Sequence, residues 1–174
     1  IALISLDVWG LAKPVLDSIK RAITVSTHIP EDSIWLTVTG NGTTPPLWRD
    51  EPLYANYTTY LPEQVNGAVQ AALRSMEPAS MGSTGILLPE VSTFIDGPGL
   101  PGNPALFVVA INRADGTGIA RLMNFACPAT ITGPSTMWTA DYPGYACWAL
   151  EQNGAGLSLF SQAPSHDIRP FDWW

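Results

Sequence analysis

The chain has 174 residues, of which 46% are hydrophobic and 13% charged, and its formal net charge at pH 7 is −7. This length and apolar content suffice for one globular domain with a sizeable core, and they exclude an intrinsically disordered chain. The acidic balance, without clustered Lys and Arg, argues against a nucleic-acid partner, and no apolar run approaches the roughly 18 residues of a membrane-spanning helix.

The first 39 residues predict a β-α-β unit. Residues 1–8 form an apolar run with β-branched side chains, which is typical of a central strand, and "SIWLTVT" at residues 33–39 predicts a second one. Between them, Pro14 suits a first helical turn, and apolar residues recur at helical spacing at Val15, Leu16, Ile19, Ala22 and Ile23. Two strands joined by a helix favour parallel pairing.

The chain begins without Met or a basic segment, so no signal peptide is visible.

Residues 40–61 are rich in Pro, Thr, Tyr and Trp without a clear period, which predicts a long loop, either a functional lid or surface padding. Pro62 is predicted to open a second helix. Its expected inner face consists of Val65, Val69, Ala72, Leu73 and Met76. Residues 80–88 predict a strand, and the Gly- and Pro-rich residues 96–104 predict a turn.

Residues 105–127 predict a hairpin around the turn Ala114-Asp115-Gly116. Asp141 is predicted to cap a third helix that has Pro143 in its first turn. The expected core face of that helix is Tyr145, Trp148 and Ala149. Residues 157–162 predict a last strand. Together these elements predict one α/β domain over residues 1–174, a layered mixed sheet with flanking helices.

Side chains able to bind metals or move protons are few. The two histidines are His28, in a helix-to-strand turn where a solvated or capping imidazole is expected, and His166. Two separated histidines supply little of a zinc site, which needs three or four ligands. Ser165, His166 and Asp167 are adjacent, so their side chains point to opposite faces of an extended segment and cannot act as a catalytic triad.

Cysteines, tryptophans and glycosylation sequons leave alternatives open. Cys127 and Cys147 can form one disulfide, but a chain this long and apolar does not depend on it, and free thiols are the favoured interpretation. The seven tryptophans suit either a docking surface or the core. The sequons at Asn41 and Asn56 agree with an extracellular location but also arise by chance.

Five stretches carry a resemblance when taken in order: "ALISLDVWGL", "IP" before "SIWLTVT", "LMNFAC", "TADYPGYACWALEQ" and "DIRP". Together they resemble the N-terminal catalytic domain of the neutral/alkaline (non-lysosomal) ceramidase family, over nearly the whole chain. The resemblance implies an α/β domain that cleaves the amide bond of ceramide with one zinc ion, secreted or facing the outside of the cell. It also implies that this chain is the middle of a larger catalytic domain.

The positions that would do chemistry depart from the family pattern. The family's Thr-His-Thr-His-Ser-Gly-Pro loop corresponds here to residues 39–45, which places Gly40 and Gly42 where the histidines would be. Pro128 and Ala129 follow Cys127 where a zinc-binding histidine and a proline would follow. The family's amidase motif corresponds to residues 166–171, with Arg169 in the place of the serine. We therefore expect no metal, because these residues offer no ligand.

Residues of the resembling stretches that keep polar side chains are the candidates for lining a pocket: Asp7, Thr39, Asn41, Thr43, Asn124, Asp141 and Asp167. Oxygen ligands from Asp7, Asn41, Asp141 and Asp167 could in principle hold a hard cation, although nothing in their spacing singles this out.

Three functions are compatible with these residues. The leading hypothesis is a ceramidase-like domain without its metal, a non-catalytic binding or structural module with a lipid or hydrophobic ligand. The second is an amide hydrolase with a rearranged site, or one completed by flanking segments or a partner. The third is a subunit of an oligomer or filament assembled through Trp-rich surfaces.

Overall fold

A computed structural model describes residues 1–48, 52–94, 105–133 and 137–170. The turn predicted at residues 96–104 lies outside the described residues. In chain order the elements are β1 (Ala2–Leu6), α1 (Lys13–Thr27), β2 (Ile34–Val38), α2 (Ala55–Arg74), β3 (Ser80–Leu87), β4 (Ser92–Phe94), β5 (Ala105–Asn112), β6 (Gly118–Phe125), α3 (Asp141–Gln152), β7 (Leu157–Gln162) and β8 (Ile168–Pro170), with short 3₁₀ helices at Glu31–Ser33 and Pro52–Tyr54.

The predicted β-α-β unit at the start of the chain is confirmed. Strands β1 and β2 pair in parallel, with Ala2 opposite Ile34. On α1, Ile19 and Ile23 are fully buried and pack with apolar residues of β1, β2 and α2 in one core cluster. His28 ends the helix as an exposed residue with φ 61°, and its backbone N–H donates to the Thr24 carbonyl at 2.9 Å. His28 is therefore the C-cap through its backbone, and its imidazole is exposed, which agrees with the solvated alternative of the prediction.

A four-stranded mixed sheet, in the order β3-β5-β6-β7, carries the second half of the fold. Strands β5 and β6 form the predicted antiparallel hairpin, in which Gly116 adopts φ 88° and the Asp115 carboxylate accepts a hydrogen bond from the Thr117 N–H at 2.9 Å. Strand β7 pairs with β6 in parallel, with Phe125 opposite Gln162. The predicted fold class, α/β with a mixed sheet and flanking helices, is confirmed.

Helix α2 differs from the prediction at both ends. It begins at Ala55, inside the predicted loop, and Pro62 lies within it rather than at its start. The first turns are exposed, so they show no apolar period in the sequence. Leu61, Val65 and Val69 form the buried face. The expected contribution of Ala72, Leu73 and Met76 is wrong, because residues 71–80 are exposed throughout.

The core face of α3 is also different from the one predicted. Tyr145, Trp148 and Ala149 are exposed. The side chains that pack against the sheet are Tyr142, Ala146, Cys147 and Leu150. Both stripes satisfy helical spacing, so the sequence does not choose between them. The Tyr142 hydroxyl settles the choice by donating to the Cys127 carbonyl oxygen at 2.6 Å, which turns its own stripe towards the sheet.

A hydrogen bond links the β1-β2 sheet to the four-stranded sheet. The hydroxyls of Thr37 on β2 and Ser161 on β7 lie 2.8 Å apart. Strands β4 and β8 pair antiparallel, with Phe94 opposite Ile168, and so form a third small sheet after β7. None of the described helices is long and apolar enough to cross a membrane.

Core filling does not account for the tryptophans that the structure describes. Their exposed fractions are 45% for Trp9, 59% for Trp35, 40% for Trp48, 75% for Trp138 and 61% for Trp148. Trp173 and Trp174 lie outside the described residues.

Both cysteines are free thiols, as the sequence favours. Burial raises the pKa of Cys127 from its ordinary value of 9.0 to about 12, although the Tyr142 hydroxyl acts in the opposite direction. Burial also raises the pKa of Cys147, from 9.0 to about 11. The neutral thiol of Cys127 belongs to the second core cluster, with Met123, Phe125 and Phe160.

We predict that part of the stability is lost at high pH through Cys127. A raised folded-state pKa contributes stability that is fully present below pH 9.0 and is lost as the pH rises towards about 12. The free energy of unfolding, measured by urea denaturation under reducing conditions, should therefore fall less steeply above pH 9 in Cys127→Ala than in the unchanged chain. Equal slopes would show that this thiol ionises as easily in the folded chain as in the unfolded one.

Candidate functional site

The carboxyl ends of four strands meet around a cavity of about 680 Å³. Trp9 follows β1, Gly40 follows β2, Pro128 follows β6 and Ser165 follows β7, and all four line this cavity. Clefts at the carboxyl ends of parallel strands are the usual ligand sites of open α/β sheets. The volume is also within the range of about 300–1,000 Å³ that is typical of small-molecule sites.

The described lining of the cavity combines apolar and polar residues. Val38, Pro128 and Ile168 supply aliphatic surface, and Trp9 supplies an aromatic ring. The polar lining includes Gln162, Ser165, His166 and Arg169, and no Asp or Glu is among the lining residues that the structure describes. Ser165 is buried and accepts a hydrogen bond from Gln162 Nε2 at 2.5 Å, whereas His166 and Asp167 are exposed. Ser165 therefore has a partner other than His166, consistent with the absence of a triad.

Gly40 packs against the side chain of Gln162 at the end of β7. It adopts φ +70°, and a Cβ added there would lie 1.3 Å from Gln162 Oε1. The positive φ disfavours any residue with a side chain. The volume that a side chain at residue 40 would enter is thus filled by the amide of Gln162.

Gly42 also leaves little space for a side chain, because it packs against the ring of Trp9. A Cβ added at Gly42 would lie 3.0 Å from Cζ3 of the Trp9 ring and 3.3 Å from Cγ2 of Thr130. The Gly42 N–H also donates to the Ala129 carbonyl at 3.0 Å. The loop after β2 therefore packs directly on Trp9 and on the segment after β6, so a side chain at residue 42 would displace one or the other.

A buried hydrogen-bond network centred on Asn41 holds the loop in place. Asn41 is 0% exposed, and its Nδ2 donates to Asp7 Oδ1 at 3.1 Å and to the Thr139 carbonyl at 2.6 Å. Its Oδ1 accepts from the Thr43 N–H at 3.0 Å. Thr39 Oγ1 donates to the same Asp7 oxygen at 2.7 Å. The candidates Asp7, Thr39, Asn41 and Thr43 are therefore brought together.

Asp141 joins this network through Thr139, and it is the first residue of α3, with φ 46°, so the N-cap position falls to Ala140 instead of Asp141. Ala140 makes no side-chain capping bond, but Asp141 Oδ1 accepts a hydrogen bond from the Tyr142 N–H of the first turn at 2.7 Å. Its buried carboxylate accepts from the Thr132 N–H at 2.9 Å and from Thr132 Oγ1 at 2.7 Å. The carboxylate therefore fastens the loop after β6 to the start of α3, and Asp141 N donates to Thr139 Oγ1 at 3.0 Å.

The other two candidates lie apart from the network. Asn124 on β6 donates through Nδ2 to the backbone oxygen and the hydroxyl of Ser161, each at 3.2 Å, and so ties β6 to β7. Asp167 is exposed on the segment before β8. None of the seven candidates is among the residues that line the 680 Å³ cavity. Asp7 and Thr39 line a smaller cavity of about 180 Å³ beside it.

The described residues contain no cluster of metal ligands, and the two glycosylation sequons differ in exposure. In the described part of the chain there is no group of three or more His, Cys, Asp or Glu side chains that could hold a metal ion. The sequon at Asn41 is not open to modification in the folded chain, because that side chain is fully buried. Asn56 is exposed on α2.

The residues that sequence reasoning passed over are Trp9, Val38, Gln162 and Ile168. Each lies in or just after a short strand, and the rule that ligands bind at the carboxyl ends of parallel strands would have pointed to Trp9 and Gln162. Ile168 could not be found in this way, because its place depends on the pairing of β8 with β4.

The fold resembles that of solved ceramidases. Neutral ceramidase from Pseudomonas aeruginosa superposes with a TM-score of 0.82 at 14% sequence identity, and the match covers 95% of this chain and 30% of that one. A ceramidase complexed with C2 gives the same TM-score of 0.82, with 14% identity and the same coverage. This chain therefore spans about 30% of the length of the solved chains that it matches.

Comparisons of sequence alone found no relatives. No model of a known protein family matches the chain. No curated protein matches it either. The likeness to ceramidases is thus one of fold, and at 14% identity it does not by itself carry function to this chain.

We predict that Asn41 stabilises the fold more than an exposed asparagine does. Asn41→Ala leaves the buried Thr43 N–H without an acceptor and removes one of the hydrogen bonds that the Asp7 carboxylate accepts. The free energy of unfolding should therefore fall by more than about 2 kcal/mol. The matched control is Asn153→Ala, which removes one exposed bond to the Ala149 carbonyl and should cost less than about 1 kcal/mol. Equal losses in urea denaturation would show that the buried network contributes little.

Proposed function

We propose that this chain is a ceramidase-like domain without the zinc centre and that it binds a lipid or another hydrophobic ligand in the 680 Å³ cavity without cleaving it. The observation that carries the proposal is that the lining of the cavity includes positions at which this chain departs from the family pattern. The cavity is lined by Gly40, Pro128 and Arg169, and the resemblance places these residues where the family has a zinc-binding histidine, a second such histidine and the serine of its amidase motif.

The described residues that line the cavity do not fit a zinc ion. Gly40 and Pro128 offer no side-chain donor, and zinc in proteins is held by Cys, His and carboxylate side chains. The side chain of Gln162 occupies the space that a side chain at residue 40 would need, because Gln162 Oε1 lies 1.3 Å from the position of an added Cβ. Changing Gly40 alone would not provide a ligand, because Gln162 and the positive φ of 70° would both oppose it.

The retained parts of the site support binding rather than chemistry. A ligand cavity needs a rigid wall, and the Asn41 network and the Asp141 carboxylate supply one by fixing the loops after β2 and β6. An apolar lining with a few polar groups is typical of sites that bind small hydrophobic molecules. A zinc-activated water would need a group of metal ligands, and the described part of the chain contains none.

A second candidate function is an amide hydrolase completed by segments outside this chain. The observation that favours it is that the chain spans 30% of the length of the solved ceramidase chains, so a longer protein or a partner can bring further side chains to the cavity. The two functions differ in one measurable respect. Completion predicts turnover of a ceramide once the flanking segments are present, and the binding function predicts none with or without them.

We predict that the purified chain retains no zinc and releases no fatty acid from a ceramide. The chain is equilibrated with excess zinc, dialysed thoroughly, and analysed by plasma mass spectrometry, with neutral ceramidase from Pseudomonas aeruginosa treated in the same way for comparison. One retained zinc per chain, together with zinc-dependent release of fatty acid, would contradict the proposal. If zinc is retained, loss of that zinc in His166→Ala, which alters the only histidine that lines the cavity, would place the metal there.

A further inference from the structure

The cavity has a charge that the proposed ligand class has to match. Arg169 is among its lining residues, and no carboxylate is among the described residues that line it. The ion pairs formed in the described part of the chain join Lys13 to Asp17 and Arg113 to Glu77, so Arg169 has no ion-pair partner there. A guanidinium stays protonated at every physiological pH. Among the described residues, the cavity thus combines apolar side chains with the guanidinium of Arg169, which has no ion-pair partner there.

From this combination we infer that the ligand is an amphiphile with a single hydrocarbon chain and an anionic head, of which a long-chain carboxylate is the simplest member. The inference rests on the proposed binding function and specifies its ligand. The hydrocarbon chain lies against Trp9, Val38, Pro128 and Ile168, and the head accepts hydrogen bonds from Arg169. A guanidinium matches a carboxylate with two parallel N–H···O bonds, which are stronger than bonds between neutral groups.

The position of Arg169 suits this role. It is the central residue of β8, between the buried Ile168 and Pro170, and its backbone is fixed by pairing with Thr93 of β4. Ile168 and Arg169 both reach the cavity. An apolar and a cationic residue of the lining therefore follow one another in a strand whose backbone is paired with β4, so their positions relative to each other are fixed.

An uncharged amphiphile fits less well. A neutral lipid that filled the cavity would cover Arg169 and remove water from it without supplying a negative charge, and burying a charge without a partner is costly. The net charge of −7 does not prevent an anion from binding. Charges farther away than about 8 Å are screened at physiological ionic strength, so the nearest charge dominates.

The test is a set of calorimetric titrations with three probes that share a ten-carbon chain, each kept below the concentration at which it forms micelles. Decanoate carries the anion, decanol is uncharged and decyltrimethylammonium is a cation. We expect decanoate to bind about tenfold or more tightly than decanol, which is the ratio that one charge-assisted hydrogen bond supplies, and the cation not to bind. Decyl sulfate is added to distinguish a carboxylate from another anionic head, and tighter binding of decanoate than of decyl sulfate supports the carboxylate.

Substitutions locate the charge that is responsible. Arg169→Gln should remove the advantage of decanoate over decanol, while Arg169→Lys, which keeps the charge but not the planar fork, should lose less of it. Arg21→Gln, at an exposed residue of α1 that does not line the cavity, is the matched control and should leave both affinities unchanged. Thermal unfolding of each variant shows whether it is folded, and decanol binding gives a second measure of an intact cavity.

The outcomes separate this inference from the proposed function. Equal binding of decanoate and decanol, or equal effects of Arg169→Gln and Arg21→Gln, overturns the anionic ligand but leaves a hydrophobic binding site. Tighter binding of decyl sulfate than of decanoate overturns the carboxylate. Absence of binding by every probe overturns both the inference and the proposed binding function.

Discussion

The arrangement of the cavity depends on one buried side chain, the amide of Asn41. An amide buried without partners would be strongly destabilising, so its donors and acceptor fix whatever they contact. Its donors reach Asp7 after β1 and the Thr139 carbonyl before α3, and its acceptor orders the next turn of its own loop. Because Thr44 Oγ1 donates to the Asn41 carbonyl and accepts from the Trp9 N–H at 2.9 Å, the same loop also sets the place of the cavity's aromatic wall.

The long-range order of the fold could be predicted where the sequence pattern has one interpretation. Apolar runs of five to eight residues around an amphipathic helix lead to the β-α-β unit, and Asp115-Gly116 between two such runs leads to the hairpin. The pattern fails where two solutions are equally periodic, as on α3, where the bond from Tyr142 to Cys127 decides the face. It also fails where a helix begins in solvent, because the exposed first turns of α2 carry no apolar period that would announce a helix before Pro62.

The candidate side chains predicted from the sequence and the side chains that line the 680 Å³ cavity lie on the same loops but are different residues. Asp7, Thr39, Asn41 and Thr43 do converge, yet they turn inwards to one another and hold the loops, while the cavity surface is formed by their neighbours Trp9, Val38 and Gly40. In an irregular loop, successive side chains follow no fixed period, so the sequence gives the location of the loop but not the direction of each side chain. Gln162 is the clearest example, because its role is apparent only from its approach to Gly40.

We propose that this cavity, which lies where strand ends and loops meet, holds an anionic amphiphile and no metal. The most direct measurement is a two-dimensional ¹H–¹⁵N NMR titration that follows the Gly40 amide and the Trp9 indole N–H, first with zinc and then with decanoate. The account predicts that both signals stay in place with zinc and move, saturably, with decanoate. Stoichiometric shifts of Gly40 and its neighbours with zinc, or no movement of either signal with decanoate, would contradict it.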